Sequence, residues 1–489
     1  MSHLPISPSA APSTATASVV SSAASASSAS TTSTASTSFT ASTNADRANP
    51  SVRGTWGSRM GFVLAAAGSA VGLGAVWKFP YVVGQHGGGA FLVVYLGCVL
   101  TLGVALLLAE MTIGRLTGKS ATTAMRELGG RGWSWVGRIA TFNAFAILSF
   151  YVVVGGWTVA YLLRALNGTV LAPDTLKLEA EFVAFIADPW ASLANMAVFL
   201  GLAALIVAAG VQKGIERAGK WLMPALFLLM LAVIARALTL PGAMEGVAWF
   251  LKPDFSMISG KTLLEALGLA FFSLSLGAGM IVVYGSYLPK DAKLAGSAVW
   301  VATLATLACM LAGLMILPAV FAFGVAPNAG PGLTFITMPA IFAQMPFGHL
   351  VAIAFFLLLL FAALTSAVSL FEPVTAFLID EYQWRRGPAV VAVLVATFSL
   401  GAPAALSFGV WSDVQLFGRT IFDLMDFVTI NLLMPAGGLC VAVLVGARIW
   451  PQARTVLVGT RAQWFLPVWR LILLVLTPLA ILGIWYQSV

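Results

Sequence analysis

Charge is what this 489-residue chain has least of: only 9% of its residues are Asp, Glu, Lys or Arg. A soluble globular chain carries roughly a quarter. Histidine is nearly absent, at three residues (His3, His86 and His349), and no pattern joins them to the scattered acids as a nucleophile or a metal-ligand set. The three cysteines, Cys98, Cys309 and Cys440, all lie inside apolar runs. They read as small core residues, not as a disulfide framework or a metal cluster. These scarcities exclude a soluble enzyme, and the apolar content excludes a disordered or fibrous chain. Hydrophobic residues make up 60% of the chain and the mean hydropathy is +0.95. So much apolar surface requires a lipid solvent, and the chain reads as an all-α polytopic membrane protein. No strand-like alternation of the kind a membrane barrel needs competes with that reading.

Residues 1–52 stand apart. Ser, Thr and Ala dominate from Ser7 to Thr43 without apolar periodicity, so this stretch reads as a disordered cytoplasmic tail. It lacks the apolar centre of a signal peptide. Residues 53–489 form the membrane domain. Eleven helices are expected, near 59–81 (α1), 88–116 (α2), 138–166 (α3), 190–210 (α4), 218–238 (α5), 262–287 (α6), 295–325 (α7), 348–381 (α8), 388–402 (α9), 417–447 (α10) and 467–487 (α11). The segment 388–402 is short for a crossing that needs about 20 residues.

The net charge of +8 is a topology signal and not a nucleic-acid footprint, because the basic residues fall on alternate connections. Arg115, Lys119, Arg126, Arg131 and Arg138 follow α2; Lys213, Arg217 and Lys220 join α4 to α5; Arg448, Arg454, Arg461 and Arg470 join α10 to α11. The opposite side holds acids such as Asp174, Glu179, Glu181 and Asp188. This places the N-terminus in the cytoplasm of a plasma (inner) membrane protein and, after eleven crossings, the C-terminus outside.

Two helices are Gly/Ser-rich at mid-span. The first reads Gly68-Ser69-Ala70-Val71-Gly72-Leu73-Gly74, and α6 reads Ser273-Leu274-Ser275-Leu276-Gly277-Ala278-Gly279. Small residues at one such place suit tight helix packing. Two, five helices apart, suit a five-plus-five inverted repeat (about 59–238 and 262–447, with 467–487 extra) whose first helices unwind at the midplane.

On these residues the sequence resembles the neurotransmitter:sodium symporter family, in its bacterial eleven-helix amino-acid transporter branch. The resemblance is carried by Trp56-Gly-Ser-Arg59 through Gly74, by Lys78-Phe79-Pro80, by Gly87-Gly-Gly-Ala-Phe91, by Glu110-Met-Thr-Ile-Gly-Arg115, and by Leu364-Thr365-Ser366. It implies a sodium-coupled symporter working by alternating access, with sodium as its one inorganic partner and no organic cofactor. The second sodium site of the family maps to Gly68, Val71, Ala362, Thr365 and Ser366. Neutral carbonyl and hydroxyl oxygens suit a hard monovalent cation.

The first sodium site is depleted. Ala75 and Ala305 stand where the family carries side-chain amides or acids, leaving Ala70 and Ser273. The chloride position keeps Tyr95 and Ser273 but has Leu269 and Cys309 in place of polar groups. One coupled sodium ion and no chloride requirement are therefore expected.

The resemblance maps the substrate site to Ala70, Gly72, Leu73, Gly74, Ile147, Tyr151, Phe272, Ser273, Ser275, Ala278 and Leu370, with Ser366 beside them. Gly72 replaces the acid that pairs with monoamines, so an amino acid is expected. The apolar pocket favours a hydrophobic one. Lys78 and Asp426 match an outer gate under the Phe272 ring. Arg53 and Asp380 match an inner gate, flanked by Trp56 and Tyr287. Glu110 and Glu372 are two further intramembrane acids, read first as hydrogen-bonded to backbone and second as proton carriers. The rivals are proton-coupled or sodium-independent exchange and, further off, a membrane amino-acid sensor. Oligomeric state is not legible.

Overall fold

The structure, a computed structural model, describes residues 54–289, 291–324, 332–458 and 460–488. The tail 1–52 and the gate residue Arg53 lie outside the described residues. Helix accounts for most of the described residues, which form no strand beyond two isolated bridges.

Nine helices among the described residues are long and apolar enough to cross a bilayer, and a bent pair makes a tenth span. The pair is α1, Arg59–Ala70 followed by Gly74–Gln85, with 52° between its halves. The nine are α2 (Gly89–Thr117), α3 (Trp133–Leu166), α4 (Pro189–Ala208), α5 (Val211–Leu238), α7 (Leu294–Ala322), α8 (Gly348–Tyr382), α9 (Arg386–Leu406), α10 (Ile421–Arg448) and α11 (Gln463–Tyr486). Between α5 and α7, α6 comes as two shorter helices, Gly260–Ser273 and Met280–Ser286.

The expected boundaries hold to within a few residues except at three places. Helix α3 starts at Trp133 and α5 at Val211, each earlier than hydropathy indicates. Helix α9 runs to Leu406, straight through Pro403. At 21 residues it is long enough to cross. Hydropathy also passes over the short helices of the connections: Ala121–Gly129, Thr175–Ala187, Ala243–Leu251 and Leu333–Ala343.

Local chemistry sets the helix starts. The Ser58 hydroxyl caps α1 by accepting from the Gly61 N–H at 3.0 Å. Asp188 caps α4 ahead of Pro189, a residue whose fixed φ suits a first helical turn. Ser259 and Thr262 form a reciprocal capping box on α6.

Enclosure then sorts the helices. The most apolar windows of α3 and α8 are 89% and 72% buried, against 33% for α5 and α11. A helix that is apolar all round and enclosed by protein belongs at the centre, whereas an equally apolar one left open faces lipid. The breaks in α1 and α6 lie beside this α3–α8 centre.

Candidate functional site

The α1 helix fails at Val71, whose backbone (φ −90°, ψ 64°) leaves the helical region. The backbone resumes helical geometry at Leu73. Carbonyls just before the break have lost their helical partners and must find others. Ser366 of α8 supplies one: its hydroxyl lies 3.3 Å from the Gly68 carbonyl and donates at 3.0 Å to that of Ser69. Ser275 of the α6 break also donates to Ser69, at 3.0 Å. That break, Leu274–Gly279, is held by three left-handed residues: Ser275 (φ 57°), Gly277 (83°) and Gly279 (74°). Glycine suits that region and serine does not, so the Ser275 backbone is strained at the point where its hydroxyl reaches α1.

The positions implied for the second sodium ion thus come together. The Ser366 hydroxyl and the Gly68 carbonyl touch, and a Cβ on Gly68 would stand 3.1 Å from Thr365. Thr365 donates back along its own helix to Phe361 and Ala362, at 3.1 and 3.0 Å. Val71 is fully buried beside them. All the donor atoms are neutral oxygens, which fits sodium, and no group of three or more His, Cys, Asp or Glu capable of holding a metal occurs among the described residues.

The positions implied for the first ion differ. Ala75 and Ala305 are both fully buried, and Leu269 is buried as well. The remaining polar atoms satisfy one another: the Tyr95 and Ser273 hydroxyls are 2.8 Å apart, and the Tyr95 O–H also reaches the Cys309 Sγ at 3.4 Å. Ala70 is buried too.

Between the two breaks lies a cavity of about 40 Å³, lined by Ser69, Ala70, Gly72, Gly74, Ile147, Tyr151, Phe272, Ser275, Met280, Ser366, Leu370 and Met434. Tyr151 accepts the Leu73 N–H at 3.3 Å. Gly72 leaves room there, since a Cβ would collide with Ser366 and stand 3.1 Å from the Tyr151 oxygen. Leu73 instead faces a second, larger space. Ala278 and Ser273 are buried without lining the cavity. The sequence reading passes over Met280 and Met434, which line it: the left-handed Gly279 redirects the chain just before Met280, and Met434 comes from α10.

The larger space, about 280 Å³, is a vestibule sharing Gly74, Ile147, Tyr151 and Phe272 with the cavity. It reaches the surface at the exposed Asp423. A cavity of about 40 Å³ holds a few waters, whereas ligand pockets run to roughly 300 Å³ or more. Phe272 therefore divides a solvent-scale cavity from a ligand-scale vestibule.

The model of the sodium:neurotransmitter symporter family matches residues 53–175 and 174–489. The chain belongs to this family. It is a family of transporters, so the protein is a multi-pass membrane transporter with sodium as its coupling ion, and not an enzyme. The chain is 44% identical, over 81% of its length and 88% of the relative's, to the "uncharacterized sodium-dependent transporter YhdH" of Bacillus subtilis (strain 168). It is 26% identical over 81% of its length to the human "sodium- and chloride-dependent GABA transporter 2", covering 74% of that protein. Among solved structures, that of MhsT in complex with L-phenylalanine superposes with a TM-score of 0.82 at 42% identity, over 89% of this chain and all of that one.

In this symporter the two ends of the path differ. Lys78 and Asp426 both line the vestibule, and no ion pair joins them among the described residues. The Lys78 Nζ lies instead over the Phe272 ring, 4.9 Å from its centre. At the other end Trp56 is buried. Its indole N–H donates to the Tyr284 carbonyl at 2.9 Å and its backbone N–H to that of Tyr287 at 3.1 Å. Glu216 of α5 holds the start of α1, accepting from the Gly57 N–H at 2.6 Å and the Ser58 hydroxyl at 2.8 Å. Asp380 accepts the Ser120 N–H at 2.6 Å.

The two intramembrane acids also part company. Glu110 is bonded to backbone as expected, accepting the Gly277 N–H at 2.6 Å inside the α6 break. Glu372 is not. It forms a two-pronged ion pair with Arg386, at 2.5 and 3.1 Å, and accepts the Tyr287 hydroxyl at 2.5 Å. The Arg386 Nε donates to the Val207 carbonyl at 2.8 Å, so one guanidinium ties α4, α8 and α9. Sequence reasoning passes over Arg386 as one more positive residue. The signal available was Glu372 itself, since a buried carboxylate demands a partner.

Proposed function

We propose that this symporter imports a hydrophobic amino acid together with one sodium ion, bound at the second site, without chloride and by alternating access. It does so in a plasma membrane, with its N-terminus cytoplasmic and its C-terminus outside. The observation that carries this is the contrast between the two ion positions. The hydroxyl of Ser366 meets the freed Gly68 carbonyl, while Ala75 and Ala305 are buried without a side-chain oxygen. An ion there ties α1 to α8, and its loss inward releases the first half of α1 from the Trp56 closure.

The substrate class rests on the cavity. No charged side chain lines it, so an acidic or basic amino acid would be stranded without a partner. The Tyr151 hydroxyl and the Gly72–Leu73 backbone face the place where a substrate carboxylate would sit. Entry of a bulky side chain requires the Phe272 ring to shift. The resemblance to a structure solved with L-phenylalanine supports the same class.

The test is uptake of labelled L-phenylalanine into proteoliposomes in sodium chloride, sodium gluconate and choline chloride, at two pH values. Uptake should require sodium, tolerate gluconate, and rise with sodium with a Hill coefficient near 1. A coefficient near 2 removes the one-ion reading. Uptake in choline driven by pH transfers the coupling to protons, for which Glu110 is the buried carboxyl in place.

A further inference from the structure

The connection from α10 to α11 carries a basic, half-open pocket remote from the transport path. It has a volume of about 530 Å³, with Arg454 and Arg470 on its wall beside Trp450, Leu466 and Leu471. Neither arginine has a carboxylate within ion-pair distance among the described residues; Arg454 lies in the connection and Arg470 in the first turns of α11. Arg470 is held in place. Its Nε donates to the Gly446 carbonyl at 3.2 Å, and its guanidinium lies 5.5 Å from the centre of the Trp450 ring. The terminal nitrogens of the fork remain to bind something else. Trp450 packs in turn on Trp469, which is fully buried and donates to the Ala105 carbonyl of α2 at 3.0 Å. The pocket floor is thus anchored to the protein core.

We propose that this pocket binds an anionic phospholipid from the leaflet that bathes the α10–α11 connection. The phosphate of its headgroup would lie between Arg454 and Arg470. Two observations together select a lipid over a soluble anion. The arginines supply charge complementarity without a protein partner, as basic pockets between membrane helices do for lipid phosphates. From the pocket an apolar stripe runs along the lipid-facing side of α11: Leu471, Val475, Leu479 and Leu482, each 48% to 61% exposed. From Leu471 to Leu482 the helix rises ~16 Å, close to the ~15 Å depth of one leaflet of hydrocarbon. A headgroup at the arginines therefore lays its acyl chains along the stripe, and a free phosphate has no use for it.

The experiment uses the full chain in detergent, titrated with phosphatidylglycerol, phosphatidylcholine or inorganic phosphate, and reads thermal stability and lipid retention by native mass spectrometry. Phosphatidylglycerol should raise Tm and remain bound, whereas phosphatidylcholine and inorganic phosphate should do neither. Each arginine lost should weaken retention roughly fivefold, so R454Q with R470Q loses about 25-fold, and R461Q, at an arginine outside the pocket, changes nothing. Should R470Q destabilise the fold through its Gly446 contact, R454Q alone carries the test, because no hydrogen bond or ion pair of the Arg454 side chain occurs among the described residues. Unchanged phosphatidylglycerol retention in R454Q, an equal response to phosphatidylcholine, or an equal response to inorganic phosphate each overturns the proposal.

Discussion

The two positions proposed for ions lie on either side of the same break in α1, yet one brings a side-chain hydroxyl to freed carbonyls and the other holds buried alanines. At the first, the groups that remain are already paired, Tyr95 with Ser273 and Cys309, and alanines fill the rest. At the second, the Ser366 hydroxyl of α8 meets carbonyls that the break itself has freed. The difference teaches that an unwound helix frees carbonyls, and that the neighbouring helix decides whether they meet a side-chain hydroxyl: Ser366 of α8 meets those of Gly68 and Ser69, while Ala75 and Ala305 bring no side-chain oxygen.

Removing the polar side should have the largest effect. Thr365→Ala with Ser366→Ala should bring phenylalanine uptake in sodium down to its level in choline, while the purified variant keeps its fold. Each lost hydroxyl bond costs only ~1 kcal/mol of stability. Retained sodium stimulation in proteoliposomes would break the comparison at its root.

Filling the apolar side comes next. Ala75→Asn buries a polar group in a fully packed place, and overpacking together with an unmet amide costs about 2–5 kcal/mol. Its Tm should fall and its sodium Hill coefficient should stay near 1. Adding Ala305→Asn supplies the missing second oxygen, and the coefficient should then rise toward 2.

A third effect concerns the closed end, which must open for sodium to leave the polar side. Arg386→Met strands the buried Glu372 carboxylate, at a cost of about 3–5 kcal/mol. The accessibility of a cysteine placed at the Trp56 end should increase in labelling experiments, with no change in the Hill coefficient.

The smallest effect expected is at Tyr95, where the family resemblance would place an anion. Tyr95→Phe removes one hydroxyl from a pair worth ~1 kcal/mol, and uptake in chloride and in gluconate should remain equal. A chloride response in either protein would mean that the apolar side still binds ions.

Much of this was legible in residue order. The Gly68–Gly74 and Ser273–Gly279 clusters mark the places where α1 and α6 break, because small residues neither hold a helix nor obstruct a close neighbour. Ala75 and Ala305 are visible as absences without any structure. What the chain order hides is pairing across folds. Glu372 and Arg386 are fourteen residues apart, and only the reversal from α8 to α9 makes them bidentate partners. Met280 lines the cavity in place of Ala278 because three left-handed residues turn the α6 backbone, and no periodicity reports a turn of that kind; Met434 reaches it from α10. Hydropathy underrates α9 for a related reason. Pro403 suggests a stop, but in a bundle the neighbours can accommodate the missing N–H, and the helix continues to Leu406.

Composition and motif by themselves determined that the chain lies in a membrane, which helices are interrupted, and that Ala75 and Ala305 carry no side-chain oxygen. Each of those is a property of residue type. Tertiary structure alone decided which freed carbonyl meets which hydroxyl, which buried acid finds a cation, and that one end of the path is sealed while a vestibule stands at the other. Those depend on distances of about 3 Å between segments far apart in the chain, and residue order does not encode distance until the helices have packed.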